Sequence, residues 1–163
     1  MDENRLNINE PVRGEPATSD FSIGPVDIET EYDQLIALWQ NAGLPCKPYG
    51  RDHHRSMQKE LHRPDTTLLV ARHHERIIAS ILITSDGRKG WLNRIAVHPD
   101  HRGQGYAKRL IREGELVLRR LGVPVYAMLI ESDNAASLAM ARSTGYVEHR
   151  DIVYLTKRIS PDS

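Results

Sequence analysis

The residues whose spacing carries the most chemistry run from Ile95 to Ala107, IAVHPDHRGQGYA. A run of β-forming residues ends at Val97, a proline turn follows, and Gly103 and Gly105 stand where a long apolar-periodic segment begins. That order predicts a strand, a loop and a helix start, with the glycines at the junction. The first N–H groups of a helix have no partner inside it, and the helix dipole is positive at that end, so the junction attracts anions. Glycine has no Cβ, so phosphate oxygens can approach its backbone closely. Lys108, Arg109 and Arg112 add positive charge within the first turns. The chemistry predicted is backbone binding of a phosphate-bearing ligand. Two familiar phosphate motifs are excluded by spacing. No G-x-x-x-x-G-K-[ST] occurs, and Gly103-x-Gly105 is followed by Lys108 where a dinucleotide fingerprint needs Gly or Ala.

The elements around this junction follow from periodicity. Phe21 to Ile28 alternates like a short strand. Thr30 can cap a helix whose face is Leu35, Leu38, Trp39 and Ala42, ending at Gly43. Asp52 can cap a second helix running to about His62. Thr66 to Arg72, Ile77 to Thr84 and Gly90 to Val97 read as an antiparallel meander with turns at His73–Arg76 and Ser85–Gly87. Ala107, Leu110, Ile111, Gly114, Val117, Leu118 and Leu121 form one apolar helical stripe, and Gly122 suits the residue after its end. Pro124 to Ile130 reads as a strand, Asn134 as the cap of a helix to about Ser143, and Tyr146 to Ile159 as strand material. The strand–helix–strand order predicts a parallel crossover after the antiparallel hairpins. Residues 1–20 hold Pro11, Gly14 and Pro16 among polar groups without periodicity and read as a flexible tail, leaving 21–163 as one domain.

The segment resembles the acyl-CoA motif of the GNAT N-acetyltransferase superfamily. The matching residues are Ile95-Ala96-Val97, His98-Pro99 and Arg102-x-x-Gly105-x-Ala107, with Asp133-Asn134-Ala135-Ala136 and Gly145-Tyr146 resembling the later N-x-x-A…G-F/Y segment. The order of elements from about residue 20 to 159 agrees, so the resemblance covers most of the chain. It implies an α/β (α+β) fold: a mixed, mostly antiparallel twisted sheet of about six or seven strands, about four helices, and two central strands that splay apart around coenzyme A. It further implies that Ile95, Ala96 and Val97 meet the pantetheine amides. Gly103, Gln104, Gly105, Tyr106, Ala107 and Lys108, with Arg102, would surround the pyrophosphate, and Asn134 would contact the pantetheine arm. The implied activity is transfer of an acetyl group from acetyl-CoA to an amine of a small molecule, protein or peptide. The alternative is a module that binds acetyl-CoA as a sensor with little turnover.

Transfer needs an uncharged amine. Holding a lysine amine of pKa ~10.4 neutral at pH 7 costs about 4–5 kcal/mol, against about 1 kcal/mol for an α-amine of pKa ~8. Relatives supply a base and an acid from their own side chains, and this chain departs from them. Met140 and Ala141 stand where many have Phe-Tyr, and Asn93 and Leu129 stand where some have Glu. Glu131, two residues beyond Leu129 on the same strand face, is the remaining candidate base, and Tyr126 a candidate acid. Asp52, His53 and His54 come from the segment that shapes the acceptor side, where the histidines could shuttle protons. Their spacing with His62 matches no metal-ligand set, so no metal site is expected.

Lys and Arg number 22, as do Asp and Glu, so nothing global draws the chain to nucleic acid or an anionic membrane. No apolar run is long enough to span a bilayer, and the polar start MDENRLNINE does not read as a secretory signal. With Cys46 the sole cysteine, a reducing cytoplasm is the expected setting. Pairing of two copies through the last strands is the expectation for assembly.

Overall fold

The computed structural model describes residues 20–159; all but the last residue of the expected 1–20 tail lies outside them. Among the described residues, one sheet runs in the order β1 (Phe21–Pro25), β2 (Thr66–His73), β3 (Arg76–Ser85), β4 (Gly90–Val97) and β5 (Tyr126–Ala127). The first four strands are antiparallel neighbours, and β5 joins β4 in parallel. This is the mixed α/β sheet that the sequence predicts, with five strands in place of six or seven.

Both faces of the sheet are covered, which is why β2 and β3 are near-continuous apolar runs. On one face lie α1 (Ile28–Ala42) and α2 (His54–Leu61), bringing Leu35, Leu38, Trp39 and Met57 onto Leu68, Val70 and Leu82. On the other lies α3 (Tyr106–Arg120), whose Leu110, Ile111 and Leu118 pack on Ile81, Ile83 and Leu92. Gly114 sets how near α3 can come: a Cβ there would sit 2.8 Å from the Leu92 side chain. A short α4 (Ala135–Ser143) sends Met140 to the same core.

The starts of two helices differ from expectation for identifiable reasons. α1 is capped by Asp27, not Thr30: its carboxylate accepts from Glu29 N–H at 3.1 Å, and Glu31 accepts from Asp27 N–H at 2.7 Å. α2 is capped by His53, because the carboxylate of Asp52 is taken by Lys47 N–H and Arg94. Asn134 does cap α4, accepting from Ser137 N–H at 3.0 Å.

The largest difference lies at the end of the chain. Strand pairing expected over Pro124–Ile130 is confined to Tyr126 and Ala127, and Tyr146–Ile159 forms no strand. A strand exists only against a neighbour. β5 leaves β4 after two paired residues, and among the described residues the final segment has no neighbouring strand.

Candidate active site

The junction between β4 and α3 turns on its glycines. Beyond β4, Pro99–His101 make a single 3₁₀ turn, then Gly103 and Gly105 adopt left-handed φ of 75° and 81°. Gly105 occupies the N-cap of α3, where no side chain caps the helix. The first helical bond is from Arg109 N–H to Gly105 O, at 3.1 Å. The N–H groups of Tyr106, Ala107 and Lys108 therefore have no acceptor within the helix and face the loop. Open space surrounds both glycine Cα atoms on the side where a Cβ would stand. A helix start of this kind attracts an anion.

Arg102 has a different task from its neighbours. Its guanidinium donates to Ala42 O, at the C-terminal end of α1, and to Val97 O. That ties the loop to a helix end where positive charge is favoured. Tyr106 stacks on Phe21 with ring centroids 5.3 Å apart, and the Arg109 guanidinium covers Phe21 at 4.2 Å. Lys108 stays exposed.

β4 and β5 pair only through Gly90 with Tyr126 and Trp91 with Ala127. Past that point no pairing joins them, so the backbone of Ile95–Val97 has no β5 partner along that edge. Asn134 is exposed, its side-chain oxygen held by the α4 cap.

A bulge in β4 shapes the opposite side of the strand. Ser80 pairs with Ala96 and Leu82 with Asn93, so Arg94 and Ile95 together face Ile81. Arg94 takes φ of 49°, unusual for a residue with a side chain. The bulge turns Asn93 and Arg94 to one face, while Leu92 and Ile95 pack on the α3 side. Arg94 is fixed from every direction. Its guanidinium donates to Asp52 at 2.6 Å and to Pro45 O at 3.1 Å, and it lies over the Trp39 ring at 4.4 Å. Its carbonyl accepts from Ser80 Oγ, which in turn accepts from Trp39 Nε1–H at 3.0 Å. Asp52 is buried and also accepts from Lys47 N–H, so its charge is fully partnered.

Trp39, Asp52 and Arg94 line a cavity of about 480 Å³ between α1, α2 and β4, with Leu44, Met57 and Leu68 as its apolar wall and Arg51, Glu60 and Asn93 as further polar groups. That is the size of a small-ligand site. Cys46 stands close by, its thiol pushed up by burial and then by the Asp52 charge.

The expected catalytic residues do not line this cavity. Glu131 is exposed in the turn before α4. Tyr126 packs on the α3 side, in the cluster that includes Tyr146. The Tyr146 hydroxyl donates to Glu115 at 3.0 Å, and burial, then that carboxylate, holds its acidity well below that of an ordinary phenol. His53 caps α2 and His54 Nε2 bonds Ile28 O, so both histidines serve the fold. Sequence reasoning missed Trp39, Ser80 and Arg94 as parts of a site. The available signal was an arginine, next to Asn93, inside a mostly apolar strand, two residues before Ala96. Among the described residues no cluster of ligating side chains suits a metal ion.

Comparison with known proteins agrees with this architecture. A family model described as "Acetyltransferase (GNAT) family" matches residues 32–146. An acetyltransferase of Yersinia pestis is 30% identical over 82% of this chain and 93% of its own length. One from Sodalis glossinidius is 29% identical over 81% of this chain and 92% of its own. Among solved structures, the aminoglycoside 6'-N-acetyltransferase AAC(6')-IG of Acinetobacter haemolyticus is 26% identical, with a TM-score of 0.70 over 85% of this chain and 99% of that one. AAC(6')-Iy in complex with a bisubstrate CoA analogue is 20% identical, with a TM-score of 0.69 over 85% of this chain and 98% of that one, and shares the fold.

Proposed function

The chain belongs to the acetyltransferase (GNAT) family and is an acetyl-CoA-dependent N-acetyltransferase, and from that premise we propose direct acetyl transfer to an amine that enters through the cavity beside Asn93 and Arg94. The observation that carries this reading is the bulge in β4. It presents the cavity on one face of the same strand whose edge beyond Trp91 has no β5 partner. Acetyl-CoA fits the other side of the junction. Gly103 to Lys108 would hold the pyrophosphate through backbone N–H groups, Ile95 to Val97 and Asn134 the pantetheine, and Arg102 would hold the loop in shape. The thioester supplies the acetyl group.

Proton removal in this reading falls to water and backbone carbonyls. Asp52 is committed to Arg94, and Glu60 lies exposed at the rim. Such a site favours an acceptor whose amine has a low pKa, because less free energy is needed to present it uncharged. The volume suits a small molecule or one peptide end. Balanced total charge and a lone cysteine support a cytoplasmic setting without nucleic-acid or membrane partners.

Release of coenzyme A thiol against a panel of amines tests the proposal. Turnover should climb with pH in step with the acceptor's own pKa and stay within about threefold in Glu131→Gln. Stabilisation by acetyl-CoA with no thiol released from any amine would establish the sensor module instead.

A further inference from the structure

We propose that the cavity beside Arg94 takes an amino carboxylate: a molecule of dipeptide size or less, with an apolar side chain, whose carboxylate is held by Arg51. This rests on the reading of the cavity as the acceptor's entrance and names the acceptor's class. Four charged side chains line the cavity: Arg51, Asp52, Glu60 and Arg94. Two of them cancel. Arg94 donates to Asp52 Oδ1 at 2.6 Å, and Lys47 N–H donates to Oδ2 at 2.7 Å, so Asp52 needs no second cation. Arg51 stands behind that pair, its Nε 3.8 Å from Oδ2 and its side chain 46% exposed. That contact is too long for a hydrogen bond, which leaves the guanidinium fork open to the cavity.

The backbone that carries the fork is fixed beforehand. Gly50 and Asp52 N–H groups both donate to Lys47 O, at 2.9 and 3.1 Å, and His53 N–H donates to Gly50 O at 3.1 Å. Binding then has only the Arg51 side chain to order, which keeps its entropic cost low. A planar guanidinium meets a carboxylate through two parallel N–H···O bonds. A phosphate dianion would bring about two charges against one open cation, with Glu60 on the same cavity. Glu60 supplies the complementary charge. Its carboxylate is exposed at the rim, and Arg63, on which its charge acts, is already taken by Asp65 at 2.9 Å. One open cation and one open carboxylate match a molecule that carries one of each, and the acceptor amine arrives as an ammonium. A polycation gains little where two arginines balance two carboxylates. Met57 and Leu61 lie on the same face of α2 as Glu60, and with Leu44 and Leu68 they offer the apolar wall for a side chain. A volume of about 480 Å³ admits a dipeptide, whose α-amine of pKa ~8 also meets the demand for an amine that is easily uncharged.

Leucyl-alanine, leucyl-alanine amide and spermidine are the probes. Thiol release is followed at pH 9, where both peptide amines are mostly uncharged. By kcat/KM the acid should be preferred to the amide roughly tenfold or more, with spermidine the poorest. Arg51→Gln should bring the acid-to-amide ratio close to one. Arg51→Lys keeps the charge without the fork and should hold part of the preference. A purely structural role for Arg51 would lower both rates together and leave the ratio in place. An amide used as well as the acid, or a ratio that survives Arg51→Gln, overturns the proposal. Calorimetric titration of both peptides into protein saturated with coenzyme A separates the two readings. No thiol from any amine, with the acid bound more tightly than the amide through Arg51, defeats transfer alone. Thiol released without regard to the carboxylate defeats the acceptor class alone.

Discussion

The two sides of β4 are built by opposite means. The glycine junction is made of backbone: ten consecutive residues, two left-handed glycines and a helix start with uncommitted N–H groups. The cavity is built from side chains: Trp39, Asp52 and Arg94 line it, Ser80 braces them, and the four come from separate segments and hold one another. The first needs only local conformation. The second needs the whole fold, and each member leans on the next. Substitutions should therefore be felt differently on the two sides: globally at the cavity, locally at the junction.

Arg94→Ala should show the largest effect. It leaves the buried Asp52 carboxylate without its cation and removes the cover of the Trp39 ring. Breaking a buried pair from one side costs about 3–5 kcal/mol, a drop in Tm of roughly 10 °C for a chain of this size. Much of that should return in the double variant Asp52→Asn, Arg94→Met, where no unpaired charge remains and Lys47 N–H keeps an acceptor. Thermal unfolding of the two variants checks this. A loss under 1 kcal/mol for Arg94→Ala would mean that the network is ornamental.

Gly105→Val should do the reverse, sparing the fold and harming the ligand. A side chain at φ of 81° costs about 1–2 kcal/mol, and the β-branched group would crowd the N–H groups of the junction. Acetyl-CoA should bind roughly tenfold more weakly by calorimetry. Gly43→Val supplies the control, since Gly43 has φ of 78° but ends α1. Comparable strain there, with acetyl-CoA affinity intact, would confirm that the junction acts as a separate backbone site. Equal loss of affinity in both would erase the distinction.

The same contrast explains what could be read from the sequence. The junction was legible because its signal is contiguous: glycine spacing, a strand before and a periodic helix after. The meander and α3 were legible for the same reason. Arg94 was not, because a bulge depends on how β4 registers against β3, and nothing in GWLNRIAV marks which residue is extra. Asp52 read as a helix cap because a carboxylate before a helix usually is one; only the fold brings Arg94 within 2.6 Å of it. The final strand shows the reverse failure. Its composition is correct for a strand, but pairing requires an edge that none of the described residues brings to it.

The smallest expected effect lies at Glu31, which clips α1, a wall of the cavity, to the sheet. Arg72 grips it through two bonds, Nε at 2.6 Å and a terminal nitrogen at 2.7 Å. That grip holds the Glu31 carboxyl below the ordinary glutamate value, against the opposing effect of burial. A carboxyl depressed in the folded state adds stability that is fully present above its unfolded pKa, near 4.5, and is lost as pH falls through the folded value. Glu31→Gln should therefore cost about 1 kcal/mol at pH 7 by urea unfolding. The gap from wild type should close as pH drops below about 4.5. Because the pair tethers an element without reaching into the cavity, acetyl-CoA affinity at pH 7 should not change. A gap that stays constant down to pH 3 would assign the loss to packing of the side chain and leave the ion pair with no part in holding α1.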